Sequence, residues 1–215
     1  MKAANETPEI ASTILLFLRA PQLGRVKTRL AESIGPQAAL DTYRSLAEGQ
    51  IDRLPQNWPL EIHFTPGDAL AEMQQWLGDV HHYHPQVTGD LGARLETAVT
   101  RAFASGAQNV FCIGADCPAL GAIHLQSAEQ ALQGGADLVF GPANDGGYYL
   151  VGMRKAETAA IFRDIPWSTS DTLQTSLETA KRLDLQVQLL EPLNDIDTVE
   201  ELQHAVAQGL LPEWR

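Results

Sequence analysis

The stretch Ile14-Leu15-Leu16-Phe17-Leu18-Arg19-Ala20-Pro21-Gln22-Leu23-Gly24-Arg25-Val26-Lys27-Thr28-Arg29 decides the fold. Its first five residues form an unbroken apolar run, the signature of a short strand buried on both faces. Pro21 and Gly24 then bend the chain, and Gly24 allows the backbone to approach a ligand closely. Four of the 15 Lys and Arg residues lie between Arg19 and Arg29, and no acidic residue occurs from Ile10 to Ala31. A strand that runs straight into a basic, acid-free loop reads either as the ligand loop of an α/β unit, which its place after the first strand favours, or as a solvated loop that balances an acidic surface.

Outward from this stretch, helical and strand-like segments alternate. Apolar residues at Ala39, Leu40, Tyr43, Leu46, Ala47, Ile51 and Leu54 have helical spacing and predict a helix over 36–54. A strand is expected over 60–64, a helix over 68–77, and an ambiguous stretch around Val87. Helix 91–105, strand 109–114, helix 120–133, strand 138–140 and strand 148–152 follow. Helix 169–183, strand 186–190 and helix 199–207 complete the order. No internal repeat or long linker interrupts it. Residues 1–13 read as a polar tail and 14–215 as one domain. Strands alternating with helices of this length imply a mostly parallel sheet covered on both faces. In such sheets ligands sit outside the carboxyl ends of the strands.

The overall charge sets limits on partners. The chain has 215 residues, with 15 Lys and Arg against 27 Asp and Glu, a formal net charge of −12. That balance opposes nonspecific binding to nucleic acid or anionic lipid. The early apolar run is far shorter than the roughly 20 residues needed to span a bilayer. Met1–Thr13 is polar and lacks the apolar core of a signal peptide. The two cysteines, Cys112 and Cys117, match neither a disulfide framework nor a zinc knuckle. The expectation is a cytoplasmic protein with reduced thiols.

The residues that follow each strand carry the chemistry. Arg19, Arg25, Lys27 and Arg29 supply charge and hydrogen bonds suited to the oxygens of a nucleotide pyrophosphate. Asp116, in Ala115-Asp116-Cys117-Pro118, is placed either to meet a metal or ribose or to cap the next helix. Asp195 and Asp197 follow the last strand. Asp197 with Glu200 also has the spacing of a helix cap, whereas Asp195 does not. One of the pair could complete a Mg²⁺ site begun by Asp116. Asp145-Gly146-Gly147-Tyr148 reads either as a site loop or as a tight hairpin. Arg94 opens a helix and could reach a phosphate or an acceptor, and Trp167 reads either as an ordinary packing residue or as an acceptor wall. His81-His82-Tyr83-His84 lacks metal-site spacing and reads as a surface loop. No Walker A loop, Rossmann glycine fingerprint or nucleophile elbow is present.

Taken in order, these segments resemble a bacterial group of GT-A-type glycosyltransferase-like proteins within the nucleotide-diphospho-sugar transferase superfamily. The similar segments are 17–30, 89–94, 114–118, 145–150, 166–169 and 195–200. A more distant likeness is to 2-phospholactate guanylyltransferase and the molybdopterin nucleotidyltransferases. The resemblance implies a three-layer α/β/α, Rossmann-like GT-A fold with a mixed, mostly parallel sheet. It implies that Arg19, Gly24, Arg25, Lys27 and Arg29, with Asp90 and Arg94, face the nucleotide and its phosphates. Asp116 with Asp195 and Asp197 would hold Mg²⁺ or Mn²⁺. Asp145, Gly146, Gly147, Tyr148 and Trp167 would lie on the acceptor side.

Two departures stand out. The glycosyltransferase Asp-x-Asp is reduced to a single carboxylate at Asp116, and the nucleotidyltransferase glycine-rich start is reduced to Gly24. The implied activity is a metal-dependent transfer from a nucleotide sugar to a small-molecule acceptor, with Asp145 as base and Asp116 and Lys27 in the catalytic machinery. Nucleotidyl transfer from an NTP, releasing pyrophosphate, is the alternative. A catalytically silent nucleotide-binding module is a third reading.

Overall fold

The computed structural model describes residues 12–212. Its central strand, β1 (Ser12–Arg19), contains the apolar run and is buried through Leu16. It begins at Ser12, so Ser12 and Thr13 belong to the sheet and not to a polar tail; the rest of that predicted tail lies outside the described residues. Helix α1 (Thr28–Ile34) follows the basic loop, and Gly35 separates it from α2 (Pro36–Arg53). Next come β2 (Leu60–Thr65), α3 (Leu70–Leu77), β3 (His82–Pro85) and α4 (Leu91–Ala104). The chain continues through β4 (Asn109–Ile113), α5 (Ala122–Gln133), β5 (Leu138–Pro142) and β6 (Tyr148–Met153). A 3-10 helix (Ala156–Phe162), α6 (Thr172–Arg182), β7 (Val187–Leu189) and α7 (Val199–Ala207) complete it.

The seven strands are ordered β3-β2-β1-β4-β6-β5-β7. Both neighbours of β1 are parallel to it, with Leu16 opposite Ile62 on one side and Ile113 on the other. β6 alone is antiparallel, lying between β4 and β5. The chain moves from β1 toward β2 and β3, then returns to the other side of β1 with β4. The crevice between β1 and β4 is therefore the topological switch point, where open α/β sheets bind ligands.

Strand alternation divides the core between the two faces. Leu16 and Leu18 pack with Leu40, Tyr43 and Ala47 of α2 and with Leu125 and Leu132 of α5. Leu15 faces the other way, toward Leu95 and Val99 of α4, Ile161 and Phe162 of the 3-10 helix, and Ala180 of α6. The three-layer α/β/α arrangement expected from the sequence is thus present. A third cluster joins Leu30 of α1, Leu46 of α2, and Ile196, Leu202 and Ala205 around α7. This cluster packs the chain's last segment against the start of α1.

Several elements differ from expectation for identifiable reasons. β3 is an edge strand, exposed at both ends, so it needs no apolar alternation. His82 and His84 therefore sit in a strand rather than in a surface loop. α1 is short and buries only Leu30, too little for a visible period. The helix expected over 169–183 begins instead at Thr172, because Ser168 takes a left-handed φ of 61° and Thr169 turns back on Pro166.

Candidate functional site at the strand ends

A cavity of about 1100 Å³ opens at the carboxyl ends of β1 and β4. Arg19, Arg25, Lys27 and Arg29 line it, as do Arg94, Asp116, Asp145, Gly147, Tyr148, Trp167, Asp195 and Asp197. Segments far apart in sequence thus meet around one space. Gly24, Asp90 and Gly146 are not among its lining residues.

Those three residues support the walls. Gly24 has a φ of 72°, which the turn requires, and open space where a Cβ would stand. Asp90 caps α4, its carboxylate accepting from the Ala93 N–H at 2.8 Å. Gly146, with φ 94°, lies against the next segment so tightly that a Cβ would come within 2.1 Å of the Ser170 carbonyl oxygen. Its own carbonyl accepts from the Leu173 N–H at 2.9 Å, tying the β5–β6 turn to the start of α6.

The alternatives left open for the acidic residues separate cleanly. Asp116 caps nothing: α5 starts at Ala122 with Gly121 before it. Asp197 is not the α7 cap either. Thr198 and Glu201 form a reciprocal capping box one residue later, which leaves the Asp197 carboxylate to the cavity. Asp145 does both jobs, since its Oδ1 accepts from Gly147 N–H at 2.8 Å while the residue lines the cavity.

Lys27 organises the acidic side. Its Nζ lies 2.5 Å from Asp116 Oδ1 and 3.1 Å from Asp197 Oδ1. Burial disfavours its charge, but the two aspartates outweigh that effect and hold its pKa above the ordinary lysine value. Lys27, expected to face a phosphate, lines the cavity with its ammonium paired to these carboxylates. Arg29 approaches the same Asp197 at 3.7 Å and stays exposed. Asp195 has no side-chain donor among the described residues. Burial, reinforced by the Asp116 and Asp145 charges, pushes its carboxyl up to about 7 against the pull of Lys27.

Tyr43 and Gln86 are among the cavity residues that escaped the sequence reading. Tyr43, on α2, clamps the end of β1: its hydroxyl donates to the Arg19 carbonyl at 2.8 Å and accepts from the Arg19 N–H at 2.9 Å. Gln86, just past β3, donates to the Leu18 and His63 carbonyls and accepts from Arg94 Nη1 at 3.3 Å. Arg94 also donates to the Gly89 carbonyl at 3.1 Å, so it is held at the cavity wall. Recognising β3 would have pointed to Gln86, since it leaves that strand's carboxyl end. On the opposite wall Tyr148 meets Trp167 edge-on at 6.2 Å.

The donor chemistry suits a hard divalent cation, because Asp116, Asp195 and Asp197 offer only oxygens. As the side chains stand, no group of three or more His, Cys, Asp or Glu among the described residues is arranged to hold a metal. Lys27 bridges two of the carboxylates instead. Cys112 and Cys117 are free and buried. No helix among the described residues is long and apolar enough to cross a membrane.

Comparison with known proteins agrees with this architecture. Residues 52–169 match a family described as an uncharacterized protein conserved in bacteria, DUF2064. A crystal structure from Desulfovibrio desulfuricans G20, assigned provisionally as a nucleotide-diphospho-sugar transferase, is 37% identical with a TM-score of 0.82, over 87% of this chain and 83% of that one. The 4-diphosphocytidyl-2C-methyl-D-erythritol synthase of Anaerococcus prevotii DSM 20548 has a TM-score of 0.59 at 12% identity, over 92% and 96% of the two chains. A manganese complex of Rv0371c from Mycobacterium tuberculosis H37Rv has a TM-score of 0.56 at 14% identity, over 92% and 98%. No protein of curated function matches the sequence. The chain belongs to the bacterial DUF2064 family and has the fold of the nucleotide-diphospho-sugar transferases.

Proposed function

We propose that the protein is a metal-dependent transferase that uses a nucleotide-activated donor, a nucleotide sugar in the first instance. One observation carries this reading: the basic residues leaving β1 and the carboxylates leaving β4 and β7 line one cavity at the switch point of the sheet. A ligand with anionic phosphates bridged to carboxylates by a divalent cation satisfies both halves. The 37% identical transferase and the manganese complex of the more distant fold neighbour support it.

In this reading Arg19, Arg25 and Arg29 hold the donor diphosphate through charged hydrogen bonds. Asp116 and Asp195, with Asp197, would hold Mg²⁺ or Mn²⁺, which supplies charge neutralisation for the leaving diphosphate. Tyr43 and Gln86 keep the β1 end and Arg94 in place. An acceptor hydroxyl between Asp145 and Trp167 attacks the anomeric carbon. The bond to the diphosphate breaks, and Asp145, whose second oxygen is free of the Gly147 bond, takes the hydroxyl proton.

A second reading, nucleotidyl transfer, is favoured by the single carboxylate in Asp116-Cys117-Pro118 and by the nucleotidyl synthase among the fold neighbours. An acceptor phosphate would then attack the α-phosphorus of an NTP. Released product separates the two, since sugar transfer frees a nucleoside diphosphate and nucleotidyl transfer frees pyrophosphate. The site itself is tested by calorimetry with nucleoside triphosphates and nucleotide sugars, in Mg²⁺, Mn²⁺ or EDTA, on wild type and Asp116→Ala. Metal-dependent binding that disappears in the variant is expected. Binding indifferent to both metal and Asp116 sinks the reading, and binding without turnover of any donor leaves a silent nucleotide-binding module.

A further inference from the structure

Lys27 is placed in an unusual way for a lysine. Its backbone is left-handed, with φ 45° and ψ 47°, a conformation that non-glycine residues rarely adopt. Buried Val26 and Leu30 flank it, and its carbonyl accepts the Ala31 N–H that starts α1, so the backbone is held there. The consequence is an ammonium delivered between Asp116 and Asp197. The Lys27 side chain is 5% exposed, whereas those of Asp116 and Asp197 are 49% and 47% exposed. The cation lies on the inner side of the pair, and the carboxylates open toward the cavity.

Lys27 contacts both Asp116 and Asp197, and Arg29 reaches only Asp197, at 3.7 Å. Asp116, Asp145, Asp195 and Asp197 line the same cavity as Lys27. A divalent ion would bring twice the charge to the same oxygens. Lys27 has a flexible four-carbon stem and no planar fork to lock it, unlike an arginine. It also lines the cavity that Arg19, Arg25 and Arg29 line. An ammonium displaced from the carboxylates therefore has phosphate oxygens within its reach.

We propose that Lys27 is an exchangeable counter-cation: its ammonium holds Asp116 and Asp197 until a divalent metal takes their oxygens, and it then turns to the donor phosphate. The inference rests on the metal reading given above. Its consequence is linkage. Metal alone must displace the lysine and binds weakly; metal with a phosphate ligand gives the ammonium a new partner and binds more tightly. By reciprocity the phosphate ligand gains the same factor from the metal.

The test is a titration of Mn²⁺ alone into EDTA-treated wild type, Lys27→Met and Lys27→Arg, with circular dichroism confirming the fold. Lys27→Met should bind Mn²⁺ about tenfold tighter than wild type, in the usual range of coupling between sites. It should also lose the mutual tightening of Mn²⁺ and a nucleoside diphosphate. Lys27→Arg should keep the weak Mn²⁺ affinity. Acetylation with an N-hydroxysuccinimide ester, read by mass spectrometry across the four lysines, gives a second readout on wild type. Lys27 should be protected in EDTA, labelled in Mn²⁺, and protected again when nucleoside diphosphate is added. Mn²⁺ affinity unchanged or weaker in Lys27→Met overturns the exchange, as does labelling indifferent to Mn²⁺. If Lys27→Met does not fold, the wild-type labelling decides. No Mn²⁺ binding to any of the proteins overturns the metal reading itself, whereas Mn²⁺ binding that ignores Lys27 overturns only the exchange.

Discussion

The Ile196 N–H donates to the Asp116 carbonyl at 2.9 Å, a backbone bond between residues 80 positions apart. It joins the loop leaving β4 to the segment between β7 and α7. Asp195 and Asp197 flank Ile196, so this bond and the burial of the Ile196 side chain set where both carboxylates stand relative to Asp116. Ile196 in turn packs with Leu30 and Leu202, which links the placement to α1 and α7. Ile196→Ala should lower stability by about 2–5 kcal/mol, the usual cost of emptying a buried isoleucine. It should also weaken metal-dependent nucleotide binding more than Ile196→Val, which costs about 0.5–1.5 kcal/mol. Urea denaturation and calorimetry on both variants check this.

Gly146 is required by contact as well as by conformation. An alanine there would meet the Ser170 carbonyl at 2.1 Å in a backbone with φ 94°. Gly146→Ala should destabilise by more than about 1 kcal/mol and loosen the segment from Trp167 to Ser170. Lowered Tm together with faster proteolytic cleavage near Ser168 is the expected result.

Arg25 and Arg29 are exposed and should matter for ligand and little for the fold. Arg25→Ala or Arg29→Ala should change stability by no more than about 0.5 kcal/mol. Each should weaken binding of a nucleoside diphosphate about tenfold, the low end for a charged hydrogen bond. Affinity for the bare nucleoside should hardly change. Equal losses for both ligands would show that the loop itself had been disrupted.

Acid stability should report on a cluster outside the cavity. Glu61 accepts from Arg101 Nη2 at 2.8 Å and lies 3.3 Å from His63 Nε2. Burial opposes its ionisation, but the His63 hydrogen bond and Arg101 prevail and bring its pKa from 4.5 to about 2. The folded pKa is below the unfolded one, so the contribution is complete above pH about 4.5 and fades as pH falls toward about 2. Its size is of order 3 kcal/mol at neutral pH. Glu61→Gln should be less stable at pH 7 and should lose less stability than wild type between pH 5 and 2. Parallel curves for the two proteins would assign the acid sensitivity elsewhere.

Much of the fold was legible because buried strands and amphipathic helices leave a period in the sequence. β1, β2, β4 and α2 each carry that imprint. β3 and α1 do not: one is an exposed edge and the other buries a single leucine. The site was legible through the rule that ligands meet strand ends, and that rule found Arg19, Asp116 and Asp195. It missed Gln86 because its strand was missed. It missed Tyr43 because that residue reaches the cavity from the middle of a helix.

The sequence by itself determined the alternating architecture, the basic segment after the first strand and the acidic residues after later ones, since these are local patterns of polarity and charge. Only the tertiary structure decided what those charges do to one another. Lys27 and Asp197 are 170 positions apart and nonetheless share a hydrogen bond of 3.1 Å. No local pattern encodes that pairing. It follows from the parallel order of the sheet, from the cluster that packs α1 against α7, and from a capping box that leaves Asp197 free.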